Sequence, residues 1–181
     1  GGWEGVVAAR LDTASLKKFE GMTIAEIAKI REQDPVSTCF DLIYEEGAFI
    51  HGVHHTMNED DVKAVMRVPW VSIGSDGSAL NLKYPGKPHP RSFGTNPRVL
   101  GKYTREEKVL TLEDAVRKMT SMPAQVLGLK DRGLLREGYW GDVVVFDPDR
   151  VADMATYENP KQYPKGIDYV LVNGSVVIDN G

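Results

Sequence analysis

Ser75-Asp76-Gly77 stands where the apolar run Trp70-Val71-Ser72-Ile73-Gly74 ends and a segment rich in glycine and proline begins. A carboxylate at the C-terminal tip of a buried strand, followed by a long loop, is how a (β/α)8 barrel presents groups to a substrate. The competing reading of the same tripeptide is an ordinary loop or N-cap carboxylate. Further along the loop stand His89 and Arg91. An arginine there can grip a substrate carboxylate through two parallel hydrogen bonds, and a histidine can share the anion or order the loop. A purely structural loop network is the alternative.

The other histidines invite a metal-site reading, because His51, His54 and His55 are close in sequence. On a strand, however, alternation puts His51 and His55 on one face and His54 on the other, which leaves at best two ligands where zinc takes three or four. They are read as barrel-mouth or loop histidines. Cys39 is the one cysteine of 181 residues, which excludes an internal disulfide or a Cys-rich zinc module. It reads as a small apolar residue on a helix.

With a net charge of −4 and scattered basic residues, nothing points to nucleic acid or an anionic membrane, so a small molecule is the expected partner. No apolar run reaches the ~20 residues of a membrane span. The first residues lack a signal-peptide layout, and the expected compartment is the cytoplasm.

The elements that would position these side chains follow from caps and periodicity. Thr23 and Glu26 form a capping box ahead of Ile24, Ile27 and Ile30, predicting a helix to about Asp34. Asp34 then caps a second helix that begins at Pro35 and ends near Gly47. Ala48 to Val53 reads as a barrel strand, Asn58 as the cap of a helix over Glu59 to Arg67, and Trp70 to Ser75 as the next strand. Strand, helix, strand implies parallel neighbours, two successive units of a barrel wall. Thr111 opens a further helix to about Thr120, and Pro123 a short one ended by Gly128. After Gly128 come β-branched runs, Asp142 to Phe146, Tyr169 to Val172 and Ser175 to Ile178, the last two flanking the hairpin signal Asn173-Gly174. The segment Asp149 to Gly166 reads as an ordered surface crossing. Arg98 and Tyr103 read as structural, and Asp142 as a turn or capping residue.

The loop from His89-Pro90-Arg91-Ser92-Phe93-Gly94-Thr95 through Asn96-Pro97-Arg98-Val99-Leu100-Gly101, together with Gly133-Leu134-Leu135-Arg136-Glu137-Gly138-Tyr139-Trp140-Gly141-Asp142, resembles the C-terminal portion of the D-aminoacylase / N-acyl-D-amino-acid deacylase family of metal-dependent amidohydrolases. Gly141 stands where that family usually has alanine. The resemblance covers nearly the whole chain. It implies an α/β fold: the C-terminal part of a TIM-like (β/α)8 amidohydrolase barrel over residues 1–127, then C-terminal strands of a small β-sandwich over residues 128–181. It implies hydrolysis of the amide bond of an N-acyl-D-amino acid with zinc as cofactor, Asp76 moving the proton between the attacking water and the departing amine, and Asp76 lying close enough to touch the metal. Met57 matches the position of a side chain lining the substrate pocket, where a flexible thioether suits varied apolar groups; a packing contact ahead of a helix is the other reading. His89 and Arg91 complete the expected substrate site. The family's remaining metal ligands, a His-x-His pair, a cysteine and further histidines, lie upstream of the region resembled, and Cys39 in its helical context is not that cysteine. The expected partners are the N-acyl-D-amino acid, the N-terminal portion of the same protein, or further copies of the chain. The alternatives are a non-catalytic fragment or assembly module, and a cyclic amidohydrolase of the hydantoinase or dihydroorotase kind.

Overall fold

Two short strands near the N-terminal end carry the first layer of the computed structural model, which describes residues 2–181. Strand β1 (Val6–Arg10) pairs antiparallel with β2 (His51–His54), Val6 opposite His54 and Val7 opposite Val53. The expected strand from Ala48 therefore starts later, after Ala48 has taken a left-handed turn at φ 76°. Its partner is a strand that sequence pattern did not mark, because Ala8 and Ala9 are both buried and blur the alternation.

The expected parallel pairing of Ala48–Val53 with Trp70–Ser75 is not found. Residues 70–75 make no strand; the backbone from Val68 to Ile73 is held instead by side-chain and backbone bonds to residues 117 and 118. Lys118 is fully buried, and its Nζ donates to the carbonyls of Val68 (2.5 Å) and Val71 (2.9 Å). The Arg117 guanidinium donates to the Pro69 carbonyl at 2.9 Å, and the Ile73 amide donates to the Lys118 carbonyl at 3.0 Å. Backbone polar groups removed from water need partners, and here a lysine and an arginine replace a ladder.

The helices follow their caps. Helix α1 (Ile24–Arg31) opens on a complete Thr23–Glu26 capping box, and α2 (Pro35–Glu45) on Asp34, whose carboxylate accepts from the amides of Val36 and Ser37. They pack on β1 around Ala8, Leu11, Phe19, Ile27 and Leu42, with Cys39 half-buried against that cluster. Helix α3 (Glu59–Arg67) is capped by Asn58, and its Glu59 accepts from Lys102 and from the Tyr103 hydroxyl.

Helix α4 (Arg91–Arg98) and the π-helix that continues it (Val99–Glu106) fill a stretch read as loop. Gly94 and Pro97 hide the helix from propensity. Pro97 also lacks the N–H that would complete the ladder within it, and wider turns follow, such as the Glu107 amide on the Lys102 carbonyl at 2.8 Å. Helices α5 (Leu112–Met119), capped by Thr111, and α6 (Ser121–Val126) pack behind it. Val99, Leu100, Tyr103, Ala115 and Val151 make the second core, with Ile73, Phe146 and Ile167 against it.

The last layer is an antiparallel sheet in the order β3 (Val143–Phe146), β4 (Ile167–Val172), β5 (Ser175–Asp179). Asn173 and Gly174 take φ of 51° and 79°, the left-handed pair that a two-residue hairpin requires. Asp142 accepts from the Asn173 amide at 2.8 Å, the turn role expected of it. The crossing between β3 and β4 is closed by a bridge from Ala152 to Lys165 and tied to the π-helix by Arg105 on the Pro148 and Val151 carbonyls.

Replacing Lys118 by methionine keeps an apolar stem but removes the donors to Val68 and Val71. Each buried carbonyl left without a donor costs about 1–3 kcal/mol, so the protein should lose at least that much stability, read as a lower urea midpoint. An unchanged midpoint would show that the 68–73 segment is held by other contacts.

Candidate active site

Asp76 reaches its position because the chain doubles back on itself. Residues 77–90 fold over so that Gly77 lies against the first turn of α4, where a Cβ would sit 2.9 Å from the Ser92 Cα and 3.1 Å from the Arg91 carbonyl oxygen. Only glycine fits so close an approach. The loop is pinned on both sides, by the Gly77 amide on the Ser75 hydroxyl and the Ser78 amide on the Ser92 hydroxyl, each at 3.2 Å. Asp76 itself is left-handed at φ 47°, a conformation that aspartate adopts more readily than most residues. This backbone turn delivers its carboxylate to Arg91, Oδ2 to Nη2 at 2.9 Å.

His89 sets the start of α4. Its Nδ1 accepts the Arg91 amide hydrogen at 3.0 Å, and its Nε2 lies 3.2 Å from the Tyr157 hydroxyl. Acceptance at Nδ1 requires a neutral ring with its proton on Nε2. Burial pushes the His89 imidazolium below the usual histidine range, with the charge of Arg91 and His55 acting in the same direction and the Asp76 carboxylate against them.

Asp76, His89 and Arg91 line a cavity of about 150 Å³ together with Arg10, His51 and Tyr84. Arg10 is committed to Asp12 through two hydrogen bonds, the shorter of 2.8 Å, and stacks its guanidinium 5.5 Å from the centre of the Tyr84 ring. Sequence reasoning missed Arg10 and Tyr84, since neither sits in a motif and only the return of the loop brings them in. A second cavity of about 270 Å³, walled by Val7, His55, Tyr157 and Glu158, shares Val53, Lys87 and Pro88 with the first.

The structure thus gathers Asp76, His89 and Arg91. Met57 is apart from them, 79% exposed and not a wall of either cavity. Arg98 bonds Asp153 at 3.1 Å and Tyr103 bonds Glu59, both structural as read. Of the clustered histidines only His51 reaches the Asp76 cavity; His55 packs against Tyr157 with ring centres 4.3 Å apart and planes tilted by 59°.

A zinc ion does not fit these residues alone. Among the described residues no group of three or more His, Cys, Asp or Glu is placed to hold a metal. The one charged group paired with the Asp76 carboxylate is a cation. What the site can do by itself is offer an exposed carboxylate as a proton acceptor beside a guanidinium that binds anions.

Residues 1–178 match the model of the amidohydrolase family. An N-acyl-D-glutamate deacylase from Alcaligenes xylosoxydans xylosoxydans is 45% identical over 157 residues, 87% of this chain and 30% of that protein. A D-aminoacylase from the same organism is 46% identical over 125 residues, 69% of this chain and 25% of that protein. The crystal structure of N-acyl-D-glutamate deacylase from Bordetella bronchiseptica, complexed with zinc and a phosphonate inhibitor, matches with a TM-score of 0.85 and 39% identity, covering 97% of this chain and 35% of that one. This chain therefore spans well under half the length of the relatives it matches. With a family match that runs almost from end to end and a three-dimensional likeness to a deacylase, the chain belongs to the amidohydrolase family.

Proposed function

We propose that this chain is the C-terminal part of an N-acyl-D-amino-acid deacylase, residues 1–127 completing a (β/α)8 catalytic barrel and residues 128–181 a small β-sandwich. The observation that carries the reading is the Asp76–Arg91 pair at the mouth of a cavity, in a chain 45% identical to an N-acyl-D-glutamate deacylase. In the reaction an amide C–N bond of the substrate is replaced by a C–O bond from water. Asp76 takes the proton that the attacking water gives up and delivers it to the amine nitrogen as the C–N bond breaks. Arg91 leaves Asp76 to grip the substrate carboxylate, and His89 keeps the first turn of α4 in place. Zinc serves the whole protein, held by residues beyond this span, with Asp76 contributing one contact at most. Met57 joins the substrate pocket only in that larger setting.

The partner implied is the rest of the same protein. Val144 and Val145 are 53% and 44% exposed, and adjacent strand residues face opposite sides, so both faces of the β3–β5 sheet are open.

In the whole protein, Asp76→Asn should lower kcat by about 10²–10⁴-fold with the circular dichroism spectrum unchanged. A variant keeping a tenth of the wild-type rate would show that another residue moves the proton. Gly77→Ala should drive α4 away from Asp76 and lower kcat/KM by about 10²-fold, the typical effect of a displacement near 1 Å at a reacting group. Residues 1–181 on their own should carry well under one equivalent of zinc after dialysis, measured by atomic absorption; a stoichiometric ion would place a metal cage within this span.

A further inference from the structure

Tyr157 stands on the crossing between β3 and β4, remote in sequence from Asp76, and walls the neighbouring cavity while its hydroxyl reaches His89 at the edge of the site. The hydroxyl lies 3.2 Å from His89 Nε2, the ring meets that of His89 edge-on with centres 5.1 Å apart, and it also packs against His55 with the ring planes tilted by 59°. His89 Nδ1 is already occupied by the Arg91 amide. The imidazole proton therefore sits on Nε2, and the Tyr157 oxygen accepts it. Each link fixes the next: the Tyr157 oxygen holds the ring, the ring holds the Arg91 amide, and the first turn of α4 carries the Arg91 guanidinium to Asp76. If the ring turned over, the Arg91 amide would face a ring carbon, and if the proton moved to Nδ1 it would face a donor; in either case it loses its acceptor.

We infer that Tyr157 is a positioning residue for the site: by accepting from His89 Nε2 it sets the imidazole tautomer that anchors Arg91, and so governs how tightly the substrate carboxylate is held. The inference rests on the deacylase reading for its kinetic consequence and not for its structural one. A histidine whose two ring nitrogens are both engaged is fixed in orientation as well as in protonation, and the same logic governs metal-bound histidines held by an outer hydrogen bond. Simple packing would give a different pattern, since phenylalanine at 157 would keep the tilted contact with His55 and the edge contact with His89.

The test is Tyr157→Phe in the whole protein, read two ways. Nitrogen-15 spectra of histidine-labelled protein, with His89 assigned through His89→Gln, should show one protonated and one bare ring nitrogen in the wild type. In the variant the two signals should move toward each other as the Nε2–H tautomer loses its acceptor. Turnover of N-acyl-D-amino acids should show KM raised about three- to tenfold, the scale of one hydrogen bond, with kcat within about a factor of two. Tyr157→Ala should do no worse in KM than Tyr157→Phe if the hydroxyl is what matters. An unchanged His89 spectrum in Tyr157→Phe, or an altered spectrum with KM unchanged, overturns the inference. A wild-type protein with no deacylase activity would instead sink the function proposed above, and the spectra would still decide whether Tyr157 sets the His89 tautomer.

Discussion

The backbone of Gly77 passes so near that of Arg91 and Ser92 that no Cβ fits between them, and the candidate site depends on that approach. Without it the 77–90 loop would have no reason to return, and Asp76 and Arg91 would be strangers fifteen positions apart. The approach is possible only because what precedes it is held still. Lys118 and Arg117 fasten residues 68–71 to α5, and two serine hydroxyls, at Ser75 and Ser92, fasten the turn itself. Van der Waals contact at one point and hydrogen bonds on either side define a rigid corner, on which an exposed carboxylate can be presented without being buried.

That exposure matters for the chemistry. Asp76 is 84% exposed and Arg91 44%, so their ion pair is screened by water and is weak as a source of stability. A weak pair is easily exchanged. In the reaction proposed above, a substrate carboxylate would compete for the guanidinium on even terms and leave the Asp76 carboxylate without its partner. A buried pair with the same geometry would resist the exchange, because separating two desolvated charges is costly.

Local signals carried much of this structure. Thr23–Glu26, Asp34, Asn58 and Thr111 all cap the helices expected of them, since a side chain bonding to a backbone amide two or three residues away needs nothing from the rest of the fold. Asn173-Gly174 turns its hairpin for the same reason. Asp76, His89 and Arg91 were legible as a group because they share one loop. What failed was long-range. The partner of β2 is a strand of small residues more than forty positions away, and where a strand was expected over 70–75 the chain bonds to Lys118 of α5 at Val71 and Ile73. Helix α4 was lost behind Gly94 and Pro97, because these two are its buried residues and the packing that anchors it, Val99 and Leu100 in the second core, belongs to the π-helix that continues it. Tyr157, likewise, carries no motif; it reaches His89 only through the tertiary fold.

The same core shows why the later strands do not stand by themselves. Phe146 and Ile167 pack against Val99 and its neighbours, so the base of the β3–β5 sheet is welded to the helices that carry Arg91. Its outer end is different. Val176, Val177 and Ile178 run consecutively through a bulge of β5 at 56%, 58% and 40% exposure, and Val144 and Val145, adjacent in the regular register of β3, face opposite sides, so the sheet is open on both. Fully burying one such side chain is worth about 1.5–3 kcal/mol. A three-stranded sheet with two wet apolar faces gains little of that energy until something covers it. The inner end needs no such cover: β5 is bonded to β4, and Ile167 of β4 and Phe146 of β3 already rest on the core formed by Val99 and Leu100 of the π-helix that follows α4.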